Sequence, residues 1–128
     1  MVLDASAGVE MLLRTPVGRR LRAKLPADAQ TWVPELYFVE VASVLRRAEQ
    51  QGTHDATRVR VAFDRLLRAP VRRVQVRALL ADAWFRRRNL TIADGVYVAL
   101  ADHLGATLVT TDLRLANAPG LPVVTLTP

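Results

Sequence analysis

Short apolar segments alternate along the chain with longer stretches in which apolar residues recur every three or four positions. The first pattern is that of buried strands and the second that of amphipathic helices. Val2 and Leu3 form the first predicted strand, and a helix through Val9, Leu12 and Leu13 follows it. Thr15-Pro16 opens a second helical stretch, because proline is tolerated in a first turn, and its outer face carries Arg19, Arg20, Arg22 and Lys24. Residues 30–33 read as a short strand. Pro34 begins a long helix that runs to about Gln51 and is ended by Gly52.

Residues 55–68 repeat the helical period, with Val59, Ala62, Phe63, Leu66 and Leu67 on one stripe before Pro70 stops it. Residues 71–76 alternate in strand fashion, and residues 77–88 return to helical spacing with Leu80, Ala83 and Trp84 inward. A helix over residues 91–104 with Gly105 as its C-cap, then strands over 107–111 and 122–126, complete the chain. Strands alternating with helices call for a three-layer α/β/α sandwich with a central, mostly parallel sheet. A length of 128 residues suits one domain spanning residues 1–128. In such a sheet the ligand site lies beyond the carboxyl ends of the strands. Asp4, after the first strand, and Asp112, after the strand at 107–111, are therefore the first candidates.

Charge sharpens this picture. Eighteen Lys and Arg against twelve Asp and Glu give a net +6, and Lys24 is the only lysine. That balance is compatible with a polyanionic partner such as nucleic acid, although a GC-rich genome produces an arginine excess with no functional cause. The basic segments are residues 19–24, 46–47, 72–73 and 86–88. Trp84 and Phe85, beside the last of them, suggest base stacking, but core packing is the stronger expectation for Trp84. The absence of cysteine excludes disulfide frameworks, thiol catalysis and cysteine-ligated zinc. The purely apolar run at 95–101 falls far short of the roughly 20 residues that span a bilayer. With no signal-like N-terminus, a cytoplasmic location is expected and no membrane partner.

Each candidate acid has an ordinary role available to it. Asp4 and Asp112 can cap the helical turns they precede, and Thr91-Ile92-Ala93-Asp94 reads as a capping box. Together they are harder to explain that way. Glu40 lies within Leu36-Tyr37-Phe38-Val39-Glu40-Val41-Ala42, where a carboxylate without a partner is costly. Glu35 is a poorer candidate, since five residues turn a helix by about 500° and leave the two glutamates about 140° apart. Asp94 heads the nearly all-apolar stretch that should form the central helix. Carboxylates about 4 Å apart repel by roughly 4 kcal/mol at an effective dielectric near 20, a penalty that a divalent cation removes. An all-oxygen donor set selects Mg²⁺ or Mn²⁺. His54 and His103 fit no metal-ligand spacing.

These residues carry a resemblance. Val2-Leu3-Asp4-Ala5-Ser6, Pro34-Glu35 with Glu40-Val41-Ala42-Ser43, Leu90-Thr91-Ile92-Ala93-Asp94 with Tyr97-Val98-Ala99-Leu100-Ala101, and Thr110-Thr111-Asp112-Leu113-Arg114-Leu115, in that order, resemble the PIN-domain nucleases. Within them the chain is most similar to VapC toxins of type II toxin–antitoxin systems. The resemblance implies a PIN-like fold and a Mg²⁺- or Mn²⁺-dependent endoribonuclease, a hydrolase acting on RNA. It also implies a cognate antitoxin as partner, and a homodimer or a toxin–antitoxin hetero-oligomer. Carried over by position, the catalytic and metal-binding acids are Asp4, Glu40, Asp94 and Asp112, with Ser6 and Thr111 as polar support. Ser43 stands where many members have asparagine, and Ala93 where tyrosine is frequent. Val9, Leu12, Leu13, Val17 and Leu21 are candidates for the surface that docks the antitoxin, with plain core packing an equally good reading of each. Two other readings stay open: a noncatalytic nucleic-acid or protein-interaction module of the same fold, and a metal-dependent DNA nuclease. A receiver domain is excluded by the lone Asp4 and the absence of a late lysine. A haloacid-dehalogenase-like phosphatase is excluded because Ser6 stands where its second aspartate would be.

Overall fold

The computed structural model describes residues 1–128. Five strands form the central sheet: β1 Val2–Leu3, β2 Trp32–Pro34, β3 Arg72–Val74, β4 Leu108–Val109 and β5 Thr125–Leu126. All four strand pairings are parallel, in the order β3-β2-β1-β4-β5. Helices α1 Ala5–Leu12, α2 Pro16–Lys24, α3 Leu36–Gln50, α4 Ala56–Leu67, α5 Leu80–Phe85, α6 Ile92–Leu104 and α7 Leu113–Ala116 connect them. The expected α/β/α architecture is thus present. The apolar centre of α6, from Gly95 to Ala101, is buried throughout, which is why that stretch shows no polar face in the sequence. No helix is long and apolar enough to cross a membrane.

Chain order decides where a site can form. From β1 the chain adds β2 and then β3 on one side, then crosses to the other side of β1 to place β4 and β5. The direction of winding therefore reverses between β1 and β4, and at such a reversal the connections leave in opposite directions and open a crevice at the carboxyl edge.

Several boundaries differ from the sequence expectation. Pro34 ends β2 and does not begin α3, because it pairs with Val74 and the Glu35 N–H then donates to the Val74 carbonyl at 2.9 Å. The sheet uses that donor first, so α3 begins at Leu36. Residues 76–79 form a 3₁₀ turn before α5, and the buried positions become Leu79 and Ala83. Leu80 and Trp84, each about 100° further round, face solvent, with Trp84 61% exposed. The expectation that Trp84 packs in the core is therefore wrong. A Cβ at Gly95 would stand 3.0 Å from the Ala83 Cα, so α5 and α6 meet across two small residues, and a bulky ring has no place there. The Arg87 guanidinium lies over the Trp84 ring instead, 4.8 Å from its centroid. In α4 the inward stripe is Val59, Ala62 and Leu66, while Phe63 and Leu67 are exposed. Of the five residues offered as docking surface, Val9, Leu13 and Leu21 are core and Leu12 and Val17 are half-buried. Val9, Leu13 and Leu21, with Leu12 packed against them, serve the packing of α1 and α2 in the core.

The α1–α2 turn shows how tight that packing is. Thr15 caps α2 by accepting the Gly18 N–H at 3.0 Å, and Arg14 takes a left-handed φ of 52°. A Cβ at Gly18 would overlap the Glu10 carbonyl of α1. Backbone cannot yield as a flexible side chain can, so Gly18→Ala is expected to destabilise the fold by about 1–3 kcal/mol, although alanine is the better helix former. Trp84→Ala should cost no more than about 1 kcal/mol. Denaturant melts of the two variants check the pair, and a larger loss for Trp84→Ala than for Gly18→Ala would contradict this account of the packing.

Candidate active site

Asp4 stands where β1 gives way to α1. Its backbone is extended, as an N-cap requires, yet its side chain makes no capping hydrogen bond. The carboxylate is turned toward β4 instead. Asp4 Oδ2 accepts from the Ser6 hydroxyl at 2.5 Å and from the Thr110 hydroxyl at 2.8 Å. Ser6 Oγ in turn accepts the Thr111 N–H at 3.0 Å, and Thr110 Oγ1 accepts the Asp112 N–H at 3.0 Å. These bonds tie the ends of β1 and β4 together across the crevice. Asp4 Oδ1 has no protein donor, and no buried side-chain oxygen lacks a partner, so Oδ1 reaches accessible space. An aspartate with one oxygen fixed and the other free could hold a metal ion.

Glu40 projects from α3, half-buried, and accepts a hydrogen bond of 2.6 Å from the Tyr97 hydroxyl. Its pKa is raised, first by burial and then by the charges of Asp4 and Asp94, while the Tyr97 bond lowers it. Glu40 therefore senses the charges of both other acids. Tyr97 itself is held well above the ordinary tyrosine range by burial and by its bond to Glu40, so it remains a donor. Tyr37, one turn before Glu40 on α3, is 2% exposed and packs its ring over Gly8, where a Cβ would overlap it. Burial and the charge of Asp4 push the Tyr37 hydroxyl up as well.

Asp94 lies in the first turn of α6. Its backbone N–H is capped by the Thr91 hydroxyl at 3.1 Å, but its side chain makes no return bond to Thr91. Half of the expected capping box forms, and the carboxylate goes to Arg114 Nη2 at 2.8 Å. Asp112 does cap α7, with Oδ1 accepting from the N–H groups of Arg114 and Leu115 at 2.8 and 3.2 Å. Its Oδ2 also meets Arg114 Nη2, at 3.1 Å.

The four predicted acids thus gather at the carboxyl edge of the sheet, where Asp112 caps α7 through Oδ1 and turns Oδ2 toward Arg114. As the side chains stand, no three of them converge into a ready coordination cluster, with Arg114 between Asp94 and Asp112. The donor chemistry nevertheless suits a hard divalent cation: all ligand atoms are oxygens, the acids repel one another, and Asp4 Oδ1 is free. His103 is remote, bonded to Asp82 at 2.6 Å, and Glu35 faces solvent near Arg73.

Three participants were not among the predicted site residues. Thr110, fully buried, places its hydroxyl on Asp4, while Thr111 donates its backbone N–H to Ser6. Tyr97 follows Asp94 by three residues and so shares its helix face; a phenol within an otherwise apolar helix was the available signal. Arg114 follows Asp112 by two, across the start of α7, a spacing that does not share a helix face.

The PIN domain family model matches residues 1–121. Ribonuclease VapC3 of Mycobacterium tuberculosis is 40% identical over 119 residues, covering 92% of this chain and 86% of that protein. Among solved structures, Mycobacterium tuberculosis VapC20, described as a sarcin–ricin loop cleaving toxin, matches with a TM-score of 0.69 at 17% identity, over 99% of this chain and 98% of that one. A toxin–antitoxin complex from Klebsiella pneumoniae contains a chain matching with a TM-score of 0.66 at 16% identity, over 99% and 96%. The chain belongs to the PIN-domain family and, within it, to the VapC ribonucleases.

The electrostatics of Glu40 lead to a pH test. A carboxyl whose folded-state pKa is raised favours its protonated form, so its contribution to stability is complete below the ordinary value of 4.5 and is lost as pH rises through its elevated value. In chelator, Glu40→Gln, which can still accept from Tyr97, should melt above the unsubstituted protein at about pH 7, and the gap should close toward about pH 4. A gap of equal size at both pH values would show that Glu40 is not destabilised by its charge.

Proposed function

We propose that residues 1–128 form one metal-dependent endoribonuclease domain, acting in the cytoplasm as the toxin of a type II toxin–antitoxin pair. The observation that carries this reading is Asp4. Its carboxylate is withdrawn from the helix cap it could have made and fixed by Ser6 and Thr110 beside Glu40 and Asp94, in a chain of the VapC ribonucleases. A capping aspartate needs none of that support. The antitoxin partner is supported by the toxin–antitoxin complex among the structures of the same fold.

In this reading Asp4, Glu40 and Asp94 hold the cation, and Asp112 is a further ligand or holds a second metal or the attacking water. Mg²⁺ or Mn²⁺, when bound, acidifies water and offsets charge on the phosphate oxygens. Ser6 and Thr110 keep Asp4 oriented, as hydrogen-bonded partners behind metal ligands do, and Tyr97 fixes the Glu40 carboxylate. The phosphodiester is cleaved by water, with no covalent enzyme intermediate. Arginine suits the phosphate backbone through its planar fork of donors. Among the basic segments, Arg72 and Arg73 are exposed on the edge strand, whereas Arg86 is committed to Asp102 at 2.6 Å. The exposed Trp84, with Arg87 stacked on it, joins these as a base-stacking candidate.

Incubating labelled RNA and DNA of the same sequence with protein and Mg²⁺ tests the reading. RNA should be cut and DNA left intact. Asp4→Asn and Asp94→Asn should each reduce cleavage on the order of 100-fold or more while keeping a cooperative melt. Thr110→Val should lose about 10–100-fold. Unchanged cleavage by either aspartate variant overturns the site assignment, and cleavage of DNA alone overturns the choice of substrate.

A further inference from the structure

Arg114 makes a contact that the proposed chemistry does not use. A single nitrogen, Nη2, bonds Asp94 Oδ2 at 2.8 Å and Asp112 Oδ2 at 3.1 Å. It therefore stands between two carboxylates carried by different elements, α6 and the junction of β4 with α7. The Oδ1 of Asp112 is committed to capping α7, so Oδ2 is the atom through which Asp112 can meet any other cation, and Arg114 holds it. The arginine side chain is 61% exposed. Withdrawing it into solvent would leave no buried donor unsatisfied.

We propose that Arg114 is a positioning residue that serves as the internal counter-ion of the Asp94–Asp112 pair and competes with the divalent cation for it, so lowering the metal affinity of the site. The inference rests on the metal reading above. One guanidinium cannot neutralise four carboxylates, and it spreads its single charge over a plane, whereas a divalent ion concentrates twice that charge at a point. The cation wins once its concentration is sufficient, but only after the arginine has left both Oδ2 atoms. Arg114 thus keeps the two acids aligned in the metal-free protein and weakens the first binding event. A residue that merely braced the loop would act in the opposite direction: without it the ligands would be less ordered and metal would bind more weakly.

The test is a Mn²⁺ titration of the full chain without RNA, followed by the electron paramagnetic resonance of free Mn²⁺, for the unsubstituted protein, Arg114→Ala and Arg114→Lys. Melts with and without Mn²⁺ accompany it. Arg114→Ala should bind Mn²⁺ about 5-fold tighter or more, the lower end of ordinary coupling between two ligands. Arg114→Lys, which keeps the charge without the fork, should fall between. In chelator Arg114→Ala should melt below the unsubstituted protein, and Mn²⁺ should raise its melting temperature by a larger increment. Equal or weaker binding by Arg114→Ala overturns the counter-ion role while leaving the metal reading intact. If the unsubstituted protein and both variants all fail to bind Mn²⁺, the metal reading fails and this inference with it.

Discussion

The hydrogen bonds that Ser6 and Thr110 make to one oxygen of Asp4 join the two strands between which the winding of the sheet reverses. Much else follows from that knot. It takes Asp4 out of service as a helix cap, and through Thr110 Oγ1 and Ser6 Oγ it fixes the backbone N–H groups of Asp112 and Thr111. The turn that carries Asp112 and Arg114 is thereby placed against the start of α6, where Asp94 lies. Asp4 is buried with one oxygen satisfied and the other open to the crevice, and in the function proposed above that open oxygen is the metal ligand.

Charge organises the site around that point. Asp4 and Asp94 both oppose the ionisation of Glu40, and Tyr97 only partly offsets them. The fold tolerates this repulsion because the acids come from separate elements, each stable for its own reasons: α3 through Tyr37, Val41 and Leu45, and α6 through its buried centre. The small residues make the arrangement possible. Gly8 gives Tyr37 its place, Gly18 lets α2 lie on α1, and Gly95 brings α5 against the helix that carries Asp94.

The alternation of strand and helix was legible because a period of two or of 3.6 records which face of an element is buried. So were the four acids, because a carboxylate among apolar neighbours or at a strand end is conspicuous. What misled the reading were features decided between elements. Pro34 looked like a helix start, but β3 supplied a partner that kept it in the sheet. Trp84 looked like core, but the close approach of Ala83 to Gly95 turned it outward. Val9, Leu13 and Leu21 suited either docking or the core, and the packing of α1 and α2 buries them.

The sequence by itself therefore determined the element order, the α/β class, and the acids at the strand ends and helix starts, since these depend on local period and residue chemistry. Only the tertiary structure decided that Thr110 and not the Thr111 hydroxyl supports Asp4, that Tyr97 partners Glu40, and that Arg114 bridges Asp94 and Asp112. Ser6 and Thr110 are 104 residues apart, and Tyr97 and Glu40 are 57. Contacts over such separations are set by how helices and strands pack, and no local period encodes them.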